Sequence, residues 1–186
     1  DDYNYFSRRA KLYAEYFDRS TGHMRGRVSE NQWRSPFNPF NAAHRQNDYC
    51  EGNGWQYTWL VPHDVPGLIS LFGGDKPFLN KLDSLFTVPA AGLNADASPD
   101  ISGMIGQYAH GNEPNHHIPY LFNYAGQPWK GADRIRQVMD TFYTERPDGI
   151  CGNEDAGEMS AWYVLSAIGF YPVNPANGQY VFGSPL

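Results

Sequence analysis

Apolar residues recur along most of this chain at intervals of three and four, the spacing that gathers them on one face of an α-helix. The pattern predicts helices over residues 3–17, 55–61, 115–125, 128–143 and 159–170. The segment 128–143 is well patterned, and the segment 159–170 is a largely apolar helix. The chain is therefore predicted to be mostly helical.

Two further helices are marked by residues that favour helix ends. Asp64 is a typical N-cap, and Pro66 is tolerated in the first turn after it. The pair Gly73-Gly74 is predicted to end that helix, and Asp75 is predicted to cap the next one. The apolar face of this second helix comprises five residues, Phe78, Leu79, Leu82, Leu85 and Phe86.

The segments between the helices are predicted to be loops, because strand signals are weak until residues 179–182. A polar loop covers residues 87–112, and a glycine-rich acidic loop covers residues 147–157. The longest loop, residues 22–54, contains several bulky aromatic residues. A loop of this length inside a compact domain is usually functional or disordered. Its aromatic residues argue against disorder.

The order helix, acidic loop, helix occurs three times, around Glu51, around Glu113, and around Glu154 and Asp155. This loose repeat predicts an all-α fold built of helical hairpins. In a ring of such hairpins, loops of one kind lie on one face of the ring. The three acidic loops are therefore predicted to converge, although they are distant in sequence.

Composition and charge limit the classes of partner. The 186 residues carry a formal net charge of −6, without a run of Lys or Arg. A nucleic-acid partner is excluded, because it requires a clustered basic face. No stretch approaches the roughly 20 apolar residues of a membrane span. Aromatic residues make up 16% of the chain, which fits either core packing or stacking on sugar faces.

The cysteines and the start of the chain bear on its origin. Cys50 and Cys151 are too few for a disulfide scaffold and are predicted to be free, buried thiols. The chain starts at Asp1 without a Met, and it carries no signal peptide. We therefore expect a piece of a longer protein, so the missing signal does not indicate where the parent protein resides.

The first motif with chemical potential is residues 49–57 (YCEGNGWQY). Glycines on both sides of Asn53 allow a tight turn that exposes Glu51. Trp55 and Tyr57 would supply an apolar wall that keeps Glu51 protonated, as a general acid requires. The alternative is that Glu51 caps the helix that begins at Trp55. The local pattern leaves both interpretations open.

The second motif, residues 110–117 (HGNEPNHH), contains three His, one Glu and two Asn residues. A zinc site is conceivable, but the spacing lacks the pair of His residues four apart of metalloproteases. Recognition of a hydroxyl-rich ligand by Asn112, Glu113, His116 and His117 fits these side chains better. The alternative is a helix N-terminus capped by Asn112 or Asn115.

The third motif, residues 152–158 (GNEDAGE), concentrates carboxylates between glycines. Hard oxygen ligands in a flexible loop suit Ca²⁺, although the alternating acids of an EF-hand are absent. One of these acids is expected to cap the following helix instead. Inverting glycosidases hold two carboxyl groups roughly 6.5–9.5 Å apart. Glu51 and Asp155 are candidates for such a pair.

Taken together, the motifs resemble those of the glycoside hydrolase family 92 α-mannosidases. The similar segments are residues 51–57 (EGNGWQY), 111–120 (GNEPNHHIPY) and 152–163 (GNEDAGEMSAWY), with GFYP at 169–172. The resemblance implies part of an (α/α)₆ toroid and calcium-dependent, exo-acting, inverting removal of terminal α-mannose from glycans. It implies that residues 1–186 are one partial catalytic domain, which lacks an N-terminal β domain and a C-terminal β region.

The resemblance also implies roles for individual residues. Glu51 corresponds to the general acid and Asp155 to the general base, with Glu154 beside it in the same catalytic loop. Candidate ligands of Ca²⁺ are Gln56, Glu113, Glu154 and Asp155. Candidate contacts with the mannose-containing substrate are Asn112, Glu113, His116, His117 and Trp55. The parent protein is expected to be secreted, periplasmic or on the cell surface.

Two other functions remain open on the sequence. One is a metal-independent toroid glycosidase that acts on α-glucosides. The other is a carbohydrate-binding helical fragment without turnover. Removal of metal separates the first from a calcium-dependent mannosidase, and substitution of Glu51 tests the second.

Overall fold

Helices predominate along the chain, as the periodicity predicts. The computed structural model describes residues 1–44, 47–90 and 97–186. The α-helices are α1 (Asp2–Arg9), α2 (Gly54–Tyr57), α3 (Val65–Phe72), α4 (Asp75–Thr87), α5 (Pro128–Phe142) and α6 (Glu158–Ile168). Segments of 3₁₀-helix cover Leu12–Tyr16, Glu113–Asn115, Ile118–Ala125 and Asp155–Gly157. None of the helices in the described residues is long and apolar enough to cross a membrane.

Short antiparallel hairpins separate the helices. The strands are β1 (Phe17–Asp18), β2 (His23–Met24), β3 (Arg27–Ser29), β4 (Gln32–Trp33), β5 (Met104–Ile105), β6 (Tyr108–Ala109), β7 (Phe170–Tyr171) and β8 (Val181–Phe182). Each odd-numbered strand pairs with the next even-numbered one. The predicted loops 22–54 and 87–112 therefore contain strands, although residues 45–46 and 91–96 lie outside the described part. Strands of two or three residues are too short for a visible alternation.

The predicted helix over residues 3–17 is wrong beyond Arg9. The chain passes from α1 into the 3₁₀ segment Leu12–Tyr16, and no residue of either is buried. Four aromatic residues of this stretch are exposed, with Phe6 62% exposed, whereas Tyr13 is half-buried and donates to the Asp64 carboxylate. Phe17 instead begins β1 and packs edge-on against Phe72, with ring centroids 4.8 Å apart. Burial of Phe17 in a hairpin thus outweighs a stripe that only approximates the helical period.

The helix-end signals around α3 are confirmed, and the signal for α4 is displaced by one residue. The Asp64 carboxylate accepts the Gly67 amide at 3.2 Å, as an N-cap does. Gly73 ends α3 with a φ of 93°, a conformation that favours glycine. Gly74, not Asp75, occupies the N-cap of α4. Asp75 lies in the first turn, where its charge complements the helix dipole.

The core is formed mainly by α3, α4, α5 and the 3₁₀ segment Ile118–Ala125. All five residues of the predicted apolar face of α4 are buried. Trp59 stacks on Phe72 and meets Phe78 edge-on, each with ring centroids 5.5 Å apart. Many aromatic side chains are therefore core material. The core fixes the ends of the helices from which the three acidic loops project.

The predicted helix over residues 115–125 is present as 3₁₀-helix rather than α-helix. Pro119 is the second residue of the segment Ile118–Ala125, a first-turn position where its missing amide hydrogen costs no intrahelical bond. Gly126 ends the segment with a φ of 74°, as the sequence indicates. The predicted end of this helix is therefore confirmed, whereas its type differs from the prediction.

Candidate active site

Glu51 lies in the loop before α2, and side chains hold both of its main-chain polar groups. Its amide donates to the Tyr57 hydroxyl at 3.1 Å. Its carbonyl accepts the side-chain amide of Asn112 at 2.7 Å. The Glu51 residue itself is half-buried. The carboxyl group therefore projects from a main chain that is fixed on both sides.

Asn53, rather than Glu51, caps α2. The Asn53 side-chain oxygen accepts the amides of Trp55 (3.0 Å) and Gln56 (3.2 Å), and the Gln56 side-chain oxygen accepts the Asn53 amide. This is a capping box. A Cβ at Gly52 would lie 2.7 Å from the Gln56 side-chain oxygen, so the tight turn requires glycine. The alternative prediction that Glu51 caps this helix is therefore wrong, and the Glu51 carboxyl group is free of that role.

The structure does not support Gln56 as a calcium ligand. The residue is only 1% exposed. Its side-chain oxygen accepts the Asn53 amide, and its side-chain nitrogen donates to the Gln107 carbonyl at 3.1 Å. Gln56 is therefore part of the support beneath the Glu51 loop.

Trp55 does not present a face to a sugar. It is 8% exposed and meets His23 edge-on, with ring centroids 5.0 Å apart. The Lys81 ammonium lies 3.9 Å from the Trp55 ring centroid. Tyr57, the other aromatic residue of the predicted wall, contacts Glu51 through the hydrogen bond from the Glu51 amide to its hydroxyl.

The three histidines of the second motif hold the segment 110–117 in place. His117 is buried and donates to the Trp59 carbonyl at 2.7 Å. Burial lowers the pKa of His117 to about 4, so this ring is neutral. His110 lies between the hydroxyls of Tyr108 (2.8 Å) and Tyr143 (2.7 Å). A sugar contact by His117 is therefore not supported, because the ring is a link within the core.

His116 connects the second motif to the third. Its Nε2 donates to the His110 carbonyl at 2.9 Å, and its Nδ1 lies 3.0 Å from the Glu158 carboxylate. The residue is 2% exposed. Zinc coordination by this motif finds no support, because its imidazoles serve as links within the protein. A sugar contact by His116 is likewise not supported by these contacts.

Glu154 caps the start of α6, as was expected of one acid in this loop. One carboxylate oxygen accepts the Gly157 amide at 2.5 Å. The other accepts the Ser160 hydroxyl at 2.7 Å and the Ser160 amide at 3.2 Å. Hydrogen bonds from Ser160, and next from Gly157, lower the pKa of Glu154. These three hydrogen bonds give the exposed Glu154 a capping role, and its roles in catalysis and metal binding stay predictions.

Asp155 differs from its neighbour in backbone and in environment. Asp155 and Ala156 have φ values of 54° and 58°, in the left-handed region that non-glycine residues seldom adopt. Such strain concentrates at functional sites. The Asp155 side chain lies near that of Glu113. The pKa of Glu113 is raised, first by partial burial and next by the negative charges of Asp155 and Glu158.

The three acidic loops converge, as the repeat predicts. Asn112 joins the second loop to Glu51, and His116 joins it to Glu158 in the third loop. The backbones of the second and third loops also approach closely, because a Cβ at Gly152 would lie 3.0 Å from the Gly111 carbonyl oxygen. Segments that are distant in sequence and carry Glu51, Glu113 and Asp155 are thus in contact with one another.

Two further observations concern metal and thiol chemistry. Across residues 1–44, 47–90 and 97–186, no group of three or more His, Cys, Asp or Glu side chains is arranged to hold a metal ion. The side-chain oxygen of Asn115 is buried without a hydrogen-bond partner.

Cys151 is partly buried, which raises its pKa to about 11. Cys50 is exposed, so the prediction of a buried thiol is wrong for this residue.

Carboxyl groups on converging loops of a helical domain are the arrangement expected of a glycoside hydrolase. The whole chain, residues 1–186, matches the family model of the glycosyl hydrolase family 92 catalytic domain. The chain therefore belongs to this family.

Solved relatives share its structure. A family GH92 α-mannosidase from Bacteroides thetaiotaomicron, in complex with mannoimidazole, is 47% identical with a TM-score of 0.90, over 100% of this chain and 25% of that one. A family GH92 inverting mannosidase from the same species is 39% identical with a TM-score of 0.80, over 98% of this chain and 25% of that one.

A curated relative is more distant. An "uncharacterized secreted glycosidase" of Arthroderma benhamiae is 29% identical over 145 residues, which are 78% of this chain and 16% of that protein. The chain thus spans about a quarter of the solved relatives and less of the fungal one.

Proposed function

We propose that this chain is part of the catalytic domain of an exo-acting, inverting, calcium-dependent α-mannosidase that removes terminal α-mannose from glycans. The observation that carries the proposal is the convergence of the Glu51, Glu113 and Asp155 loops on one side of a family 92 domain. The names of two solved relatives, a mannosidase with mannoimidazole and an inverting mannosidase, support the substrate and the stereochemistry.

Glu51 and Asp155 take the two roles that inversion requires. Protonated Glu51 donates its proton to the glycosidic oxygen as the bond to the anomeric carbon breaks. A water molecule attacks that carbon from the opposite face, and the Asp155 carboxylate accepts its proton. The fixed main chain of Glu51 and the strained, exposed backbone of Asp155 suit these roles. Glu113 lies between the loops and is the proposed contact with substrate hydroxyls.

We propose that the chain contributes part of a Ca²⁺ site. Glu113 lies close to the carboxylates of Asp155 and Glu158, a repulsion that a cation would relieve. Asn115, two residues from Glu113, adds a buried oxygen without a partner. We propose Glu113, Asn115 and the carboxylate of Asp155 as the chain's ligands, in place of Gln56 and Glu154. Since Ca²⁺ takes about 6–8 oxygens, the remainder would come from substrate, water or the rest of the parent protein.

When bound, such an ion would contact the vicinal hydroxyls of the sugar and favour distortion of the ring. This role is proposed from the resemblance to the family. The residues of this chain would hold the ion beside the acid and the base.

Chelation tests the calcium proposal in the full-length enzyme. Treatment with EDTA should lower the release of mannose from an α-mannoside by at least about tenfold, since metal-ion stabilisation is worth several kcal/mol. Added CaCl₂ should restore the rate. Circular dichroism before and after chelation checks that the fold is retained. Unchanged mannosidase activity after chelation would contradict the calcium proposal, and preferential hydrolysis of an α-glucoside would contradict the substrate.

The domain organisation is also a proposal. Helices α3 to α6 with acidic loops on one side fit part of an (α/α)₆ toroid. Since the solved relatives are about four times as long as the matched region, residues 1–186 would be a partial catalytic domain, with β regions before and after it in the parent. The word "secreted" in the name of the fungal relative supports a secreted, periplasmic or cell-surface parent.

A further inference from the structure

The segment 110–117 touches both proposed catalytic loops at defined points. On one side, the Asn112 side-chain amide donates to the Glu51 carbonyl at 2.7 Å. Asn112 is 2% exposed, so water would not readily replace this bond. Glu51 lies in a loop, outside any helix or strand. The direction of its carboxyl therefore depends on the two bonds that hold its main chain.

On the other side, His116 is bonded to α6 twice. Its ring Nδ1 lies 3.0 Å from the carboxylate of Glu158, the first residue of α6. Its carbonyl accepts the indole N–H of Trp162 at 2.9 Å, one turn further along α6. Asp155 lies three residues before Glu158. The position of the start of α6, and hence of Asp155, is therefore tied to His116.

The segment itself is anchored in the core, so it can serve as a fixed reference. His117 donates to the Trp59 carbonyl at 2.7 Å, which ties the segment to the turn that follows α2. His110 is held between Tyr108 and Tyr143. The main-chain amide of His110 donates to the Gly103 carbonyl at 3.0 Å. Because residues 110–117 are held at both ends, a movement of the Glu51 loop would shift the Asp155 loop only slightly, and the reverse holds as well.

We propose that the segment 110–117 is a positioning arm that sets the acid and the base relative to each other, through Asn112 to Glu51 and through the pair His116–Glu158 to Asp155. The inference rests on the proposed function. Asn112, His116 and Glu158 are positioning residues in it, not groups that touch the reacting atoms. It replaces the sugar-binding roles expected for Asn112 and His116, and it gives Glu158 a role that the motif alone did not indicate.

The two contacts predict different kinetic defects, because acid and base act on different bonds. A misplaced acid slows hydrolysis only when the leaving group needs a proton. A misplaced base slows attack by water whatever the leaving group. A fold that is merely destabilised lowers the rates of both substrates alike and has no dependence on the leaving group.

The test uses the full-length enzyme and two aryl α-mannosides, 2,4-dinitrophenyl (good leaving group) and 4-methoxyphenyl (poor leaving group). Neither carries a sugar in the leaving group, so a lost contact with such a sugar cannot contribute. Asn112→Ala should lower kcat/KM for the poor leaving group by about 10- to 100-fold more than for the good one, the scale of a misplaced catalytic group. Asn123→Ala is the matched control, since Asn123 donates to the Phe182 carbonyl in β8.

The other contact is tested in the same enzyme through Glu158. Glu158→Ala should lower kcat for both substrates by a similar factor of about 10, with KM nearly unchanged. The thermal unfolding midpoint should stay at the wild-type value, which separates a misplaced base from a destabilised fold. Glu158→Gln, which keeps an oxygen near His116, should recover most of that loss. Glu145→Ala, an exposed glutamate in the loop after α5, is the control for loss of charge.

Three results would overturn the arm. Equal losses for both substrates in Asn112→Ala would make it a structural residue only. Glu158→Gln as slow as Glu158→Ala would remove the contact of Glu158 with His116 from the mechanism. Asn112→Ala or Glu158→Ala as fast as wild type would remove the contact that the variant lacks. If wild-type enzyme hydrolyses neither aryl α-mannoside, the proposed function itself fails. That result differs from failure of the positioning arm alone, in which wild-type enzyme is active and the substitutions lack the expected effects.

Discussion

Glu51→Gln in the full-length enzyme should slow hydrolysis of a mannoside with a poor leaving group by about 10²–10⁴-fold, the usual contribution of general acid–base catalysis. Gln has the size and shape of Glu but no proton to give. The main-chain bonds from Glu51 to Tyr57 and Asn112 do not involve the side chain, so the loop should keep its geometry. Steady-state kinetics on 4-methoxyphenyl α-mannoside measures the loss.

The leaving group provides the internal control for this variant. With 2,4-dinitrophenyl α-mannoside, whose phenolate departs without a proton, Glu51→Gln should retain most of the wild-type rate. A poor-leaving-group rate equal to that of wild type would remove Glu51 from the acid role. It would also favour a carbohydrate-binding function for this loop.

Asp155→Asn should lower kcat for both mannosides by a similar factor, about 10²–10⁴-fold. Asn cannot accept the proton of the attacking water, and that step is common to both substrates. Loss of the same size for good and poor leaving groups is therefore the expected signature.

Glu154→Gln is the matched control for Asp155→Asn, because the two acids are adjacent and only Glu154 caps α6. Its effect on kcat should be much smaller than that of Asp155→Asn. A larger loss for Glu154→Gln would assign the base to Glu154. That result would contradict the assignment of Glu154 as the cap of α6 and of Asp155 as the base.

The sequence predicts helices well where local signals and burial agree. Asp64 caps α3, Gly73 and Gly126 end helices, and the five apolar positions of α4 are all buried. The end of α1 and the short hairpins escape prediction for a physical reason. Two- or three-residue strands are specified by contacts such as that of Phe17 with Phe72, which are distant in sequence.

The candidate site is predicted as a set of loops, but not as a set of roles. Polar residues such as Gln56 and His117 are chemically suited to bind ligands, and also to satisfy buried main-chain groups. Only the contacts show that both do the latter. Adjacent acids pose the same problem, since the left-handed backbone at Asp155 and the cap formed by Glu154 separate two residues that the motif presents together.

The family resemblance identifies the motifs that matter, and the structure changes how they are interpreted. Glu51 and Asp155 keep their proposed roles, while Trp55, Gln56 and His117 are buried and Glu154 forms a cap. Residues of similar chemistry therefore differ in whether their side-chain polar atoms are bonded within the protein, as in Gln56 and His117.

The distance between the carboxyl groups of Glu51 and Asp155 tests the central claim most directly. A crystal structure of the full-length enzyme with a mannose-configured inhibitor bound would measure it. We predict a separation of roughly 6.5–9.5 Å, with the anomeric carbon between the two groups and room for a water on the Asp155 side. A separation near 5 Å, typical of retaining enzymes, or both carboxyls on one face of the sugar, would contradict an inverting pair made by these residues.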